Sequence, residues 1–223
     1  MRLVKPSFEI MRIMGHESGG MNTIEFIEKC GKVCYKSEAG ITPGSAKKFV
    51  QKLNDLGHES VIEHSAMTVK FICDRGVSHE LVRHRLCAFS QESTRYCNYK
   101  GGVTFVIPPW IELTPGIYNA GDINDLFLDY CPEQDWFYAM LHSEDIYISL
   151  LSKWSPQQAR SVLPNSLKTE IVVTANFREW KHIFNLRCSK AAHPQMRELM
   201  IPLLKDCKRL IPIIFDEINY EKD

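Results

Sequence analysis

The segment Arg83-His84-Arg85-Leu-Cys-Ala-Phe-Ser-Gln91-Glu92-Ser93-Thr94-Arg95-Tyr96 holds the densest chemical information in the chain. Gln91 to Arg95 gather an amide, two hydroxyls, backbone N–H groups and a guanidinium, which can grip a phosphate through two parallel bonds. That composition reads either as an anion-binding loop or as a polar surface turn. The spacing predicts a helix over 77–86, on which successive residues stand about 100° apart. Arg83, His84 and Arg85 then point in different directions and cannot all line one small pocket of one subunit. Either two of them are ordinary surface charges, or the helix end lies between several ligands or subunits.

A second cluster runs from Asn176 to Arg187. Arg178, His182 and Asn185 fall on one stripe at i, i+4 and i+7, and Phe177, Trp180, Ile183 and Phe184 form the opposite, apolar stripe. Arg187 emerges along the apolar face, where a charge needs a partner. Two partners suit it: a carboxylate in a structural ion pair, or an anionic ligand group in a dry pocket. His58 and His64 flank Glu59, Ser60 and Glu63, yet their spacing is not that of a zinc-binding H-E-x-x-H helix. Neither G-x-G-x-x-G nor G-x-x-x-x-G-K-[ST] occurs, so any phosphate must be held by arginines. Gly15 to Gly20 lacks the G-x-S-x-G register of a hydrolase elbow and reads as a turn.

These residues need elements to carry them. Leu3 to Ile13 alternates as a strand, and 23–35 is helical, weakened near its end by Gly31. Ser45 is placed to cap a helix running to about Leu56 and closed by Gly57. Further strands are expected over 65–73, 103–107 and 170–175. Helices are expected over 122–130 and 133–153, divided by Pro132, and over 177–188 and 194–210, the last entered through Pro194. Strands and helices interleave without a regular βαβ period, so the fold class is α+β, a mixed sheet flanked by helices. No repeat or linker interrupts 1–223, which reads as one domain.

The 223 residues are 44% hydrophobic and 24% charged, with 27 basic side chains against 27 acidic ones. Disorder is excluded by that composition, and zero net charge removes the usual electrostatic case for nucleic acid. No apolar run spans a bilayer, and charges at Arg2, Lys5, Glu9 and Arg12 break any signal-peptide pattern, so no membrane partner and a cytoplasmic location are expected. The eight cysteines show no C-x-x-C pair and read as thiols, with no metal site expected. The stretch from about 110 to 155 is acidic and reads as a solvated face.

Taken together the chain resembles the flavin-dependent thymidylate synthases (ThyX), whose signature is Arg-His-Arg, seven residues, then Ser. Here that is Arg83-His84-Arg85, Leu86 to Glu92, and Ser93. Upstream, Cys34-Tyr35-Lys36-Ser37 and Gly57-His58-Glu59-Ser60-x-x-Glu63-His64 are similar to family segments. So, downstream, are Arg95-Tyr96, Arg160-x-x-Leu163-Pro164, Asn176-x-Arg178 and Asn185-Leu186-Arg187. The resemblance covers roughly residues 20 to 212. It implies that Ser60, Arg83, His84, Arg85, Gln91, Asn176, Arg178 and His182 contact FAD. It assigns Glu80, Arg83, Gln91, Glu92, Ser93, Thr94, Arg95, Arg160 and Arg187 to dUMP, with Arg187 as the catalytic group. Three departures stand out: Glu80 and Gln91 occupy positions where many members carry Gln and Glu, His182 stands where Asn is common, and the His193-Pro194-Gln195 loop has a longer spacing and receives no role.

The implied reaction methylates C5 of dUMP with methylenetetrahydrofolate as carbon donor, NADPH-reduced FAD as hydride source and tetrahydrofolate as product, in a homotetramer whose sites are shared between subunits. The Pro-Cys-His motif of the cysteine-dependent synthases is absent. The alternatives are a nucleotide or RNA binder without catalysis, disfavoured by zero net charge, and a flavoprotein reductase, which would need no phosphate clamp at Arg95 and Arg160.

Overall fold

The structure is a computed structural model and describes residues 1–15 and 21–220. Most of the turn expected over Gly15 to Gly20 lies outside the described residues. In chain order the strands are β1 (Arg2–Val4), β2 (Ser7–Ile13), β3 (Ala66–Asp74), β4 (Ala88–Gln91), β5 (Thr104–Val106), β6 (Gly116–Ile117) and β7 (Lys168–Asn176). The helices are α1 (Thr23–Val33), α2 (Ser45–Asp55), α3 (Arg75–Leu81), α4 (Ile123–Leu126), α5 (Pro132–Leu150), α6 (Pro156–Ala159), α7 (Phe177–Arg187) and α8 (Pro194–Leu210). A 3-10 segment covers Glu59–His64. Two sheets result, one ordered β5-β1-β6 and the other β2-β3-β7-β4, so the α+β class holds.

Contacts divide the chain into two compact units, each made of interleaved segments. The first comprises Met1–Ser7, Phe71–Arg83 and Ser90–Ile171, the second Phe8–Lys70, His84–Phe89 and Val172–Asp223. In the first, β1 pairs parallel with β5, Leu3 opposite Phe105, and antiparallel with β6. Its core gathers Leu3, Val103, Phe105, Phe137, Met140, Tyr147 and Leu167. Pro132 occupies the first turn of α5, where its missing N–H costs nothing. Glu144 on that helix is buried and accepts from the Val103 N–H at 2.6 Å.

In the second unit the apolar stripe of α7 is buried as expected: Phe177, Trp180 and Phe184 are fully inaccessible. Trp180 Nε1 donates to the Met67 carbonyl at 3.0 Å, satisfying the one polar atom of that side chain. Phe215 meets Phe177 and Phe184 edge to face, with ring centroids 5.6 and 5.5 Å away. Gly31 is explained by packing, since a Cβ there would stand 2.7 Å from Phe49 Cε1. The glycine lets α1 lie close against α2.

Several expectations need correction. The strand over 3–13 is broken at Lys5-Pro6, because proline offers no N–H to a ladder, and its halves join different sheets. Ser45 does not cap α2. Gly44 does so, at a φ of +83°, while the Ser45 hydroxyl donates to Glu28 at 2.7 Å. The helix expected over 77–86 starts earlier, capped by Asp74, whose Oδ1 accepts from Val77 N at 2.7 Å, and it ends at Leu81. Arg83, His84 and Arg85 therefore lie in the turn after it. The helix expected over 122–130 is reduced to the single turn α4, and Leu128 beyond it is 94% exposed.

Candidate functional site

Helix α7 brings the second cluster together. Its N-terminus is capped by Asn176, whose Oδ1 accepts from the Glu179 N–H at 2.9 Å. Asn176, Arg178, His182 and Asn185 then line one side of a cavity of 760 Å³. Glu59 and Glu63 from the 3-10 segment, Leu86, Glu179 and Lys181 complete it. Three of the residues assigned to FAD from the sequence, Asn176, Arg178 and His182, thus share one wall. Ser60 is exposed in the segment that supplies Glu59 and Glu63. Arg178 Nη1 lies 2.5 Å from Glu63, and its Nε lies 3.6 Å from Glu59.

His84 is 5% exposed, while Arg83 and Arg85 on either side are exposed. The Arg187 Nε–H donates to His84 Nε2 at 3.0 Å, from 103 residues away. Burial, then the Arg187 guanidinium and His182, hold the imidazole well below its ordinary range, at about 4. It is therefore neutral at pH 7. With Nε2 accepting, its proton sits on Nδ1, which faces Glu179 Oε1 at 3.7 Å. His84, Glu179 and His182 bring donor atoms within 4.8 Å of one another, close enough for a divalent cation. The tautomer opposes one: the His84 lone pair is taken by Arg187, and its other nitrogen is protonated.

A second cavity, of 530 Å³, belongs to the other unit. Thr94 and Arg160, both assigned to dUMP, line it with Arg75, His79, Gln157 and Asn165. Arg160 Nη1 donates to Thr94 Oγ1 at 3.0 Å, and Thr94 is 6% exposed. Arg75 and His79 were missed by sequence reasoning. Their i, i+4 spacing on α3 was the available signal, since it puts both on one face of the helix.

The remaining candidates are placed as follows. Gln91 closes strand β4, and its Nε2 donates to Ser78 Oγ at 2.9 Å and Thr169 Oγ1 at 3.2 Å. The Glu92 carboxylate accepts from Tyr99 OH at 2.7 Å and Lys168 Nζ at 3.2 Å. Ser93 Oγ accepts from the Arg95 N–H at 3.3 Å, and the Arg95 guanidinium lies over the Tyr96 ring at 5.4 Å. Glu80 is half-buried near the end of α3. None of Glu80, Arg83, Arg85, Gln91, Glu92, Ser93, Arg95 and Arg187 lines either cavity. All eight cysteines are free thiols. Burial pushes those of Cys73, Cys87, Cys188 and Cys207 up to about 12, so they stay protonated.

The architecture has solved counterparts. The structure of the UMP/dUMP methylase PolB from Streptomyces cacaoi bound with 5-Br dUMP superposes with a TM-score of 0.74 at 23% identity, covering 97% of this chain and 96% of that one. The flavin-dependent thymidylate synthase ThyX from Helicobacter pylori, complexed with FAD and dUMP, gives 0.72 at 20% identity, over 95% and 99% of the two chains. These likenesses establish the fold. At the level of sequence, the family described as thymidylate synthase complementing protein matches residues 20–213. The flavin-dependent thymidylate synthase of Corynebacterium diphtheriae is 30% identical over 213 residues, 91% of this chain and 82% of that protein. That of Geobacter sulfurreducens is 33% identical over 192 residues, 82% and 77% of the two. The chain belongs to the flavin-dependent thymidylate synthase family.

Proposed function

We propose that this chain converts dUMP to dTMP, with FAD as cofactor and methylenetetrahydrofolate and NADPH as co-substrates, in the cytoplasm, as a single functional domain within a homotetramer. The observation that carries the reading is the wall of α7. Asn176, Arg178 and His182, which the family resemblance assigns to FAD, line one cavity of 760 Å³. The donor set fits the group: a guanidinium, an imidazole and two amides can meet a pyrophosphate and the polar edge of an isoalloxazine. FAD, when bound and reduced by NADPH, supplies the hydride that completes the methyl group.

The chain's own residues supply the rest. Arg160, fixed by Thr94, and Arg75 in the same cavity form a clamp for the dUMP phosphate. Arg187, whose Nε–H donates to the neutral His84 imidazole, stabilises the negative charge that develops on N3 and O4 as C5 becomes nucleophilic. Ser93, Arg95 and Glu80 complete the nucleotide's contacts, while Ser60, Arg85 and Gln91 serve the flavin. Arg83 serves both. Exposure of Arg83 and Arg85 beside a buried His84 suits side chains that complete a site on another subunit. Free thiols suit a reducing compartment.

The test is direct. The purified protein is expected to be yellow, to oxidise NADPH faster when dUMP is added, and to yield dTMP and tetrahydrofolate in equal amounts. Stoichiometric dihydrofolate would reassign the hydride to the folate, and a colourless, flavin-free protein that still forms dTMP would remove FAD from the reading. Mixing Arg83→Ala with Arg187→Ala subunits should recover part of the activity. A monomer with full flavin occupancy overturns the shared site.

A further inference from the structure

We propose that Glu217 is a positioning residue for the flavin-binding wall and acts on Arg178 through Lys181 and Glu59. The inference rests on the reading of the α7 cavity as the flavin site. Glu217 lies four residues beyond the last position matched by the family, so the match gives it no role.

The starting point is Lys181, a cavity-lining lysine only 3% exposed. A buried ammonium persists only when its three protons are matched by acceptors. Here they are: Glu217 Oε1 stands at 2.5 Å, Glu59 Oε1 at 2.6 Å and Asn54 Oδ1 at 3.1 Å. Glu59 is shared, because its other oxygen lies 3.6 Å from Arg178 Nε. Glu63 holds the far end of that guanidinium at 2.5 Å. Charges therefore alternate along one line: Glu217, Lys181, Glu59, Arg178, Glu63. Arg178 is 53% exposed and would otherwise be free to swing, so its direction depends on where Glu59 is held.

Glu217 is offered from a well-anchored stretch of chain. Ile213 N–H donates to Asp216 Oδ2 at 2.8 Å, and Asn54 Nδ2 donates to the Ile213 carbonyl at 2.7 Å. Lys208 Nζ donates to the Ile218 carbonyl at 2.6 Å, and Phe215 and Ile218 are buried. A carboxylate fixed in this way holds Lys181 from one side and leaves Glu59 able to reach Arg178 on the other. Without the Glu217 charge, Glu59 is the one carboxylate left on the ammonium and closes onto it. Arg178 Nε then loses its partner, and the guanidinium follows the exposed Glu63.

Two effects oppose each other, which makes the sign informative. Taking a negative charge from this line of three carboxylates and two cations would, by Coulomb attraction alone, tighten an anionic flavin nucleotide. Loss of positioning loosens it. Titration of the full-length apoprotein with FAD, followed by flavin fluorescence, reads the balance. Glu217→Gln is expected to weaken FAD binding roughly tenfold, the mid-range for coupling within one ion-pair network. Glu217→Asp, which keeps the charge but withdraws it, should fall between. Asp216→Asn disturbs the same turn without touching Lys181 and should leave FAD affinity unchanged. In a Lys181→Met background, Glu217→Gln should add nothing. Unchanged or tighter binding in Glu217→Gln, an equal loss in Asp216→Asn, or a further loss on the Lys181→Met background each overturns the relay while leaving the flavin site in place. Wild-type protein that fails to bind FAD overturns the site itself.

Discussion

Stability should depend on pH through one buried imidazole. His84 is 5% exposed and held at about 4 rather than 6.5, first by burial, then by the Arg187 guanidinium and His182. The Glu179 carboxylate, 3.7 Å from Nδ1, favours the proton but is outweighed. The sign follows from where the proton goes. Below about 6.5 the unfolded chain takes up a proton that the folded chain refuses, so stability falls as pH drops towards 4 and this contribution is then complete. Above 6.5 neither state is charged there and the contribution is flat. A gap of this size amounts to about 3 kcal/mol across the window. His84→Gln removes the titration while keeping an acceptor for Arg187. Denaturant unfolding of both proteins across the window, at fixed protein concentration, isolates the term as the difference between two pH profiles. The variant should lose less stability on acidification, by about that amount. Parallel profiles would show that His84 titrates normally, and the assigned tautomer with its Arg187 bond would fall with it.

Arg187→Ala is expected to fold and keep flavin, losing about 1–2 kcal/mol for the acceptor left unpaired on His84, together with most dUMP binding. A large drop in melting temperature with unchanged dUMP affinity would make Arg187 a structural residue instead. Gly31→Ala should destabilise the protein by about 1 kcal/mol, the gain in helix propensity being outweighed by overpacking against Phe49; a higher melting temperature contradicts the close approach of α1 and α2. Ser93→Ala and each single Cys→Ser variant should retain measurable thymidylate formation. Buried thiols near 12 are poor nucleophiles, and Ser93 has no histidine beside it in sequence, its neighbour Glu92 being a weakly basic carboxylate engaged by Tyr99 and Lys168. Complete loss in a folded variant that still binds flavin and dUMP would identify a covalent nucleophile.

Features governed by local rules were legible in the sequence. Helix α8 runs over Pro194–Leu210, as the proline at its start indicated, and the two stripes of α7 divide into core and cavity wall. The break at Pro6 is a local rule as well, since a proline offers no N–H to a ladder whatever the alternation around it. What stayed hidden depends on partners far along the chain. Leu81, Val82 and Leu86 continue a helical pattern, yet the helix stops at Leu81 and the turn that follows buries His84 against Arg187, 103 residues away. Glu59, Glu63 and Lys181 look like solvated charges until α7 and the 3-10 segment meet. Arg187 stands on the apolar face as a charge that needs a partner, and one of its partners is a neutral imidazole, which neither expectation names.

The seven residues between Arg85 and Ser93 contain strand β4, whose residues alternate between exposed and half-buried down to Gln91. An extended chain reverses the facing of its side chains at every step and advances about 3.3 Å per residue. Inserting or deleting one residue there would turn Gln91 away from Ser78 and Thr169 and present the hydroxyls that follow to the opposite side. A change of two residues instead would restore the facing but displace it by about 7 Å. The spacer thus works as a gauge block, tolerant in the identity of what fills it and intolerant in its length, which is why a signature with seven unspecified positions can still be strict.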